Sequence, residues 1–277
     1  METIVQYFET IPSWHRALIL AGGITFFWLI ENARPFASFS YSKWQHAGIN
    51  FFFTATTIVV NFVMAFLLLQ TAEWAAAHEI GVLNLLSDLP LWLYTLAGLM
   101  ILDLFGAYFA HLAEHKVSVL WRFHLIHHTD TWLDTTSANR HHPGESVIRF
   151  AFTIVGTFLA GAPMWMVFMY QSLSVVFSQF NHANIQLPLW LDKTLRFVLV
   201  SPDMHKVHHH YRLPYTDSNY GNIFSLWDRL FGTYRELPAT DVVYGIDTHP
   251  DEREHNRLTE LLKMPFRPKR PPTREVK

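Results

Sequence analysis

Long apolar runs separated by short polar stretches occupy the first two thirds of the chain. The first is Ala17–Ile30, between Arg16 and Arg34. It falls short of the ~20 residues that cross a bilayer, but Trp14 and Trp28 are placed to sit at interfaces. The second, Ala47–Leu69, is long enough to span outright. A third starts near Leu89, with Asp88 and Pro90 at its head, and ends near Ala110, so it delivers His111 to the membrane surface. Asp103 is the one charge inside it, and a carboxylate within a span is expensive enough to suggest a function beside the site. The fourth region, Val147–Phe180, is too long for one ordinary crossing and is broken by Gly161-Ala162-Pro163. A tight helical hairpin crossing twice fits this pattern, as does one tilted helix followed by a buried one. If the histidine-rich segments on either side form one site, an even number of crossings, or none, separates them. The hairpin meets that condition.

From Asn181 onward the chain is polar with short apolar pieces. Leu187–Trp190 and Ile223–Tyr234 read as cap elements, and Arg257–Met264 as an amphipathic interfacial helix. Arg267–Lys277 is Pro-rich and basic and is expected to be a disordered tail near anionic lipid. The expected fold is all-α: a polytopic membrane helical bundle of about four spans or their equivalents, under a cytoplasmic His-rich helical cap. Residues 1–110 would supply membrane spans, 111–235 the catalytic part including a hairpin at 147–180, and 236–277 a cap segment and tail.

Composition agrees with an apolar solvent. Half the residues are hydrophobic and only 16% are charged, against about 25% in soluble domains. A net charge of -2 gives no reason to expect nucleic acid. Cysteine is absent, which excludes disulfides, thiolate metal sites and a cysteine nucleophile. Glu2 and Glu9 precede the first apolar run and no basic residue comes before Arg16, so a cleaved signal peptide is not expected. Arg34 and Lys43 lie in the first loop, no Lys or Arg in Thr71–Asp88, and Lys116, Arg122, Arg140 and Arg149 beyond the third run. The positive-inside rule then makes the integral multi-pass protein's histidine-rich face cytoplasmic.

The chemistry is concentrated in histidine. His111 and His115 form H-x-x-x-H; His124, His127 and His128 form H-x-x-H-H, and His205, His208 and His209 repeat it. On helices, residues at i, i+3 and i+4 share a face, so each group can chelate from one turn. His142 and His182 bring the set to ten imidazoles from five segments, a number suited to two metals. Glu114, Asp130, Glu145 and Asp203 are placed to hold the second nitrogen of ligand histidines. His141 and His210 are weaker candidates than their neighbours. His15, His46 and His78 read as polar interfacial residues, and His249 and His255 as solvated. Leu112 follows His111, so the H-E-x-x-H of a metallohydrolase is absent, as are nucleophile-elbow, P-loop and dinucleotide motifs. Oxygen activation against an unactivated C–H bond of a lipid is the remaining common use of such a site. Its two electrons would come from a separate donor. A metal-transporting or metal-sensing membrane protein is the alternative, but a transporter would place ligands along its spans, and here they cluster at the span ends.

These motifs resemble the fatty acid hydroxylase / sterol desaturase superfamily. The resemblance rests on the boxes at His111–His128, Arg140–Glu145, Asn181-His182 and Pro202–His209, and on Asn219-Tyr220-Gly221-Asn222 leading into Leu226–Tyr234, covering roughly residues 100 to 235. It implies a di-metal centre of two iron ions, with zinc as a stand-in in purified protein. The ligands would be His111, His115, His124, His127, His128, His142, His182, His205, His208 and His209. It further implies O2, a lipid such as a sterol, fatty acyl chain or sphingoid base, and a donor such as a ferredoxin, cytochrome b5 or reductase. Asp228 and Arg229 are expected to pair in the cap. One departure is Leu112, where many members carry Arg.

Overall fold

The computed structural model describes residues 1–272. Its long elements are α1 (Glu2–Glu9), α2 (Ser13–Ala33), α3 (Lys43–Ala77), α4 (Leu91–Lys116), α5 (Ser118–His128), α6 (Pro143–Ala160) and α7 (Met164–His182). Short helices α8 (Leu189–Leu195), α9 (Pro202–His208), α10 (Leu226–Leu230), α11 (Glu252–His255) and α12 (Leu258–Lys263) build the cap. Among the described residues the only β structure is two isolated bridges.

Three helices, α2, α3 and α4, are long and apolar enough to cross a membrane. At 35 residues α3 extends for about 52 Å, well beyond a hydrocarbon core of ~30 Å. Its outer face carries Phe62, Val63 and Phe66 with at least two thirds of their surface exposed. An apolar surface of that kind is stable against lipid and not against water. These features make this a membrane protein.

The Gly161-Ala162-Pro163 break is a tight turn. Gly161 ends α6 at φ +66, and Pro163 caps the start of α7. A Cβ on Gly161 would stand 2.3 Å from the Ile80 carbonyl oxygen, so this tip is pressed against the turn between α3 and α4. The α6–α7 pair therefore extends the full depth of the bundle and returns, a helical hairpin. Leu99, Leu102, Tyr108, Phe150, Met166 and Tyr170 form the core between α4 and the hairpin.

At the other end everything converges. Helix α4 changes to π geometry over Leu104–Phe109 just before His111. Asp103 is fully buried there. Its carboxylate accepts from the Ile223 and Phe224 amides at 3.3 and 3.2 Å and from Trp227 Nε1 at 3.0 Å. It thus anchors the cap and holds no histidine, contrary to the sequence expectation. Asp228 accepts from the amides of Tyr220 and Gly221 and from Thr233 Oγ1. Arg229 turns away to the rings of Tyr234 and Phe197, so the expected pair does not form. The segment Arg267–Pro272 is exposed apart from half-buried Arg267, and ion pairs fasten it: Arg267 pairs with Glu254 and Glu260, and Arg270 with Glu254. The rest of the expected tail, residues 273–277, lies outside the described residues.

Candidate metal centre

Nine histidines meet in two adjoining groups. His111, His115, His124, His128 and His208 form the first; His127, His182, His205 and His209 form the second. The two H-x-x-H-H motifs explain how four helices serve two groups. In α5 the i and i+4 residues, His124 and His128, face the first group while His127 faces the second. At α9 the assignment is reversed: His205 and His209 face the second group and His208 the first. Spacing suggested that each motif would serve one metal. The structure makes each motif a bridge between both groups. Pro202 at the first turn of α9, with Ser201 Oγ accepting from the Met204 amide, starts the helix at the phase this requires.

The hydrogen bonds fix which ring nitrogen faces inward. A carbonyl or carboxylate can only accept, so a ring nitrogen facing one must carry the proton. His111 Nδ1 donates to Tyr220 O at 2.9 Å, His208 Nδ1 to Ser218 O at 2.7 Å, and His182 Nδ1 to Ser178 O at 2.7 Å. His124 Nδ1 donates to Glu145 Oε1 at 2.7 Å, and His115 Nδ1 to Asp217 Oδ1 at 3.1 Å. In the neutral rings Nε2 then presents a lone pair. The Nε2 atoms face one another: His111 and His124 Nε2 are 3.1 Å apart, and His128 and His124 Nε2 are 3.2 Å apart. In the second group His182 Nε2 stands 3.1 Å from both His127 and His205, and 3.3 Å from His209. His205 and His209 Nε2 are 3.2 Å apart, closing a triangle that three neutral imidazoles cannot satisfy with their own protons. Nitrogens ~2.1 Å from one cation stand about 3.0–3.4 Å from one another. The donor set and its spacing fit a metal ion in each group.

Burial keeps these rings neutral. His124, His127, His128, His205, His208 and His209 are held well below the ordinary histidine range, first by burial and then by the neighbouring imidazoles. The nearby negative charge lies on the first group's side. Glu145 contacts His124 and also His141 Nδ1 at 2.6 Å, while Glu114 lies 3.6 Å from His124 Nδ1. Arg149 ties both carboxylates, at 2.8 Å to Glu114 and 3.1 Å to Glu145.

Several sequence candidates lie elsewhere. His142 belongs to neither group: its Nδ1 accepts from the Gly144 amide at the start of α6, and its Nε2 faces Leu262 O at 3.4 Å. His141 stacks on His127 at 4.8 Å instead. Asp130 serves the connector after α5, contacting His46 Nε2 at 2.9 Å and accepting from Ser137 Oγ. Asp203 pairs with Lys206 at 2.9 Å. His46, read as interfacial, is buried between Asp130 and Asp134, and His249 and His255, read as solvated, are buried under the C-terminal segment. Asp217 escaped sequence reasoning, although it stands two residues before the Asn219-Tyr220 run. The carbonyls of Ser178, Ser218 and Tyr220 leave no side-chain signal at all.

The profile of the fatty acid hydroxylase family matches residues 95–233, half the chain, and spans all nine clustered histidines. The chain belongs to this family. Fatty acid hydroxylases are metal-dependent, in keeping with the two groups. Among curated relatives, the ornithine lipid hydroxylase OlsE of Rhizobium tropici is 28% identical over 55% of this chain and 46% of its own length. The alkylglycerol monooxygenase of Danio rerio is 29% identical over 80% of this chain and 48% of its own length. The human alkylglycerol monooxygenase is 30% identical over 53% of this chain and 31% of its own. The chain thus spans about half or less of the length of these relatives. No solved structure gives a significant match.

Proposed function

We propose that this fatty acid hydroxylase family member is a membrane-bound, non-haem di-iron oxygenase that hydroxylates or desaturates a C–H bond of a lipid. The observation that carries this reading is the pair of adjoining histidine groups with opposed Nε2 lone pairs, set where apolar helices end. Relatives named for ornithine lipid and alkylglycerol support a lipid substrate. Two iron ions, held by His111, His115, His124, His128 and His208 and by His127, His182, His205 and His209, would supply O2 activation and hydrogen abstraction.

The chain's own contribution is positioning and exclusion of water. Acceptors at Nδ1 fix five rings in the tautomer that presents Nε2. Glu145, Glu114 and Asp217 offset positive charge at the first group, and Arg149 keeps two of them in place. An apolar cavity of about 160 Å³, lined by Phe27, Val176, Phe177, Phe180, Leu199 and Val200, adjoins the helix that carries His182 and suits a hydrocarbon chain. The loop charges support a cytoplasmic site with α2, α3, α4 and the hairpin crossing the membrane. The two electrons would come from a separate ferredoxin, cytochrome b5 or reductase.

Lipid profiling of cells with the chain, without it, and with His127→Ala tests the proposal. A His127-dependent lipid that gains one oxygen atom marks hydroxylation, and one that loses two hydrogens marks desaturation. Unchanged lipids under O2 and a competent electron donor would overturn it.

A further inference from the structure

A second cavity, which shares no lining residue with the apolar one, reaches His115 of the first histidine group. It measures about 270 Å³ and includes His115 and Trp121 in its wall. Five cationic side chains surround it: Lys116, Arg122, Arg267, Lys269 and Arg270. Its lining includes no carboxylate residue. Three of the cations are neutralised from outside. Lys116 pairs with Asp217 at 2.6 Å, Arg270 with Glu254 at 2.7 Å, and Arg267 with Glu254 and Glu260. Among the described residues Arg122 and Lys269 have no carboxylate partner. Arg122 gives one N–H to the Arg267 carbonyl, and Lys269 contacts Ser118 Oγ. A guanidinium has five N–H donors, so most of Arg122's hydrogen-bonding capacity is left for a ligand.

The wall is also built to hold its shape. Arg267 and Arg270 are clamped by Glu254, and Met264, which lines the cavity, is buried in a cluster with Leu125 and Leu261. A concave site that combines two uncompensated cations with the apolar surfaces of Trp121, Leu125 and Met264 recognises an anion on an amphiphile. The size suits a headgroup and not the face of a folded protein.

From this geometry we infer that the cavity binds the phosphate-type anionic headgroup of the substrate lipid, with Arg122 and Lys269 as the recognising residues. This rests on the lipid-oxygenase reading and adds a specificity element to it: the reacting lipid is anionic, and its headgroup is held beside His115. The site then sets how far along the molecule the reacting carbon lies.

Binding is measured on the purified full chain in neutral nanodiscs, so the outcome does not depend on turnover. The probes are lysophosphatidic acid, the monoacylglycerol with the same acyl chain, and inorganic phosphate. Lysophosphatidic acid is expected to bind at least about tenfold more tightly than the monoacylglycerol, the return from one charge-assisted contact. Arg122→Gln with Lys269→Gln should erase that preference while leaving monoacylglycerol binding unchanged, and Lys193→Gln, at an exposed cation of α8, should leave the preference intact. Equal binding of the two lipids overturns the inference, as does a preference that survives the double substitution. Inorganic phosphate binding as tightly as the lysolipid would assign the cavity to a free anion and overturn the headgroup role. A double variant that binds lipid normally but loses turnover with its electron donor would give this face to the donor instead. Failure of the oxygenase reading would appear separately, as absent lipid oxidation in a chain that still selects the anionic probe.

Discussion

At the scale of single residues, the centre depends on which ring nitrogen carries the proton. Glu145 is the most consequential acceptor, since it serves the ring that touches both His111 and His128. Glu145→Ala is expected to weaken metal binding by about 10–100-fold, and Glu145→Gln by less because its amide oxygen still accepts. Competition with a chelator reads both, and unchanged affinity in the alanine variant would remove Glu145 from this role. His142→Ala should retain the full metal content while His127→Ala loses part of it, by elemental analysis of iron-loaded protein. Eight of the nine clustered histidines stood out in the sequence because their spacing is helical; His182, alone in its segment, was singled out through the Asn181-His182 pair. His142 misled because it adjoins Pro143 in a histidine pair, and at a helix start a histidine can equally cap the backbone. The carboxylates were harder to read, since proximity in sequence says little about which charged network each one joins. Asp130, Asp203 and Asp103 all found other partners.

At the scale of elements, the break at Gly161 was the most informative sequence feature after the histidines. It foretold the hairpin, and the contact between its tip and Ile80 shows how far the hairpin reaches. What the sequence did not disclose was the route by which the cap is fastened to the bundle. Asp103 holds three donors from the segment around α10, all in a dry environment. Asp103→Ala would orphan them and is expected to destabilise the protein by about 3 kcal/mol or more. Thermal unfolding in detergent would show the loss, together with faster proteolysis around Ile223–Tyr234. A variant as stable as the parent would mean that the cap is held mainly by other contacts. Buried His46, Asp130 and Asp134 illustrate the same limit: the polar connector after α5 packs because its charges face one another, and hydrophobic periodicity is blind to that.

At the scale of the molecule, α4, α5, α7 and α9 all point lone pairs at two common centres. Without cations those centres are repulsive, and with them the four elements are cross-linked. Removal of metal by a chelator should therefore lower the melting temperature, and restoring iron should raise it again. A site filled at a thousandfold excess over its dissociation constant contributes about 4 kcal/mol. Scanning calorimetry with and without chelator measures the effect, and an unchanged melting temperature would show that the protein scaffold alone holds the rings. The overall architecture was legible because membrane helices must satisfy their backbones internally, which leaves few alternatives. The fastening of the C-terminal segment was not, since it comes from ion pairs of Arg267 and Arg270 with Glu254 and Glu260, which no apolar pattern announces.

The π stretch at Leu104–Phe109 works as a phase shifter. A π segment accommodates one more residue per turn than the surrounding helix, so the part of α4 beyond it is clocked differently from the part before. Asp103 points to the cap anchor on one side of this shift, and His111 and His115 point to the metal group on the other. Each residue of a regular helix advances the side-chain direction by roughly 100°. The extra residue thus lets one rod address two targets that a uniform helix would not align together. A single-residue deletion within 104–109 would restore regular winding and force a choice between the anchor and the metal.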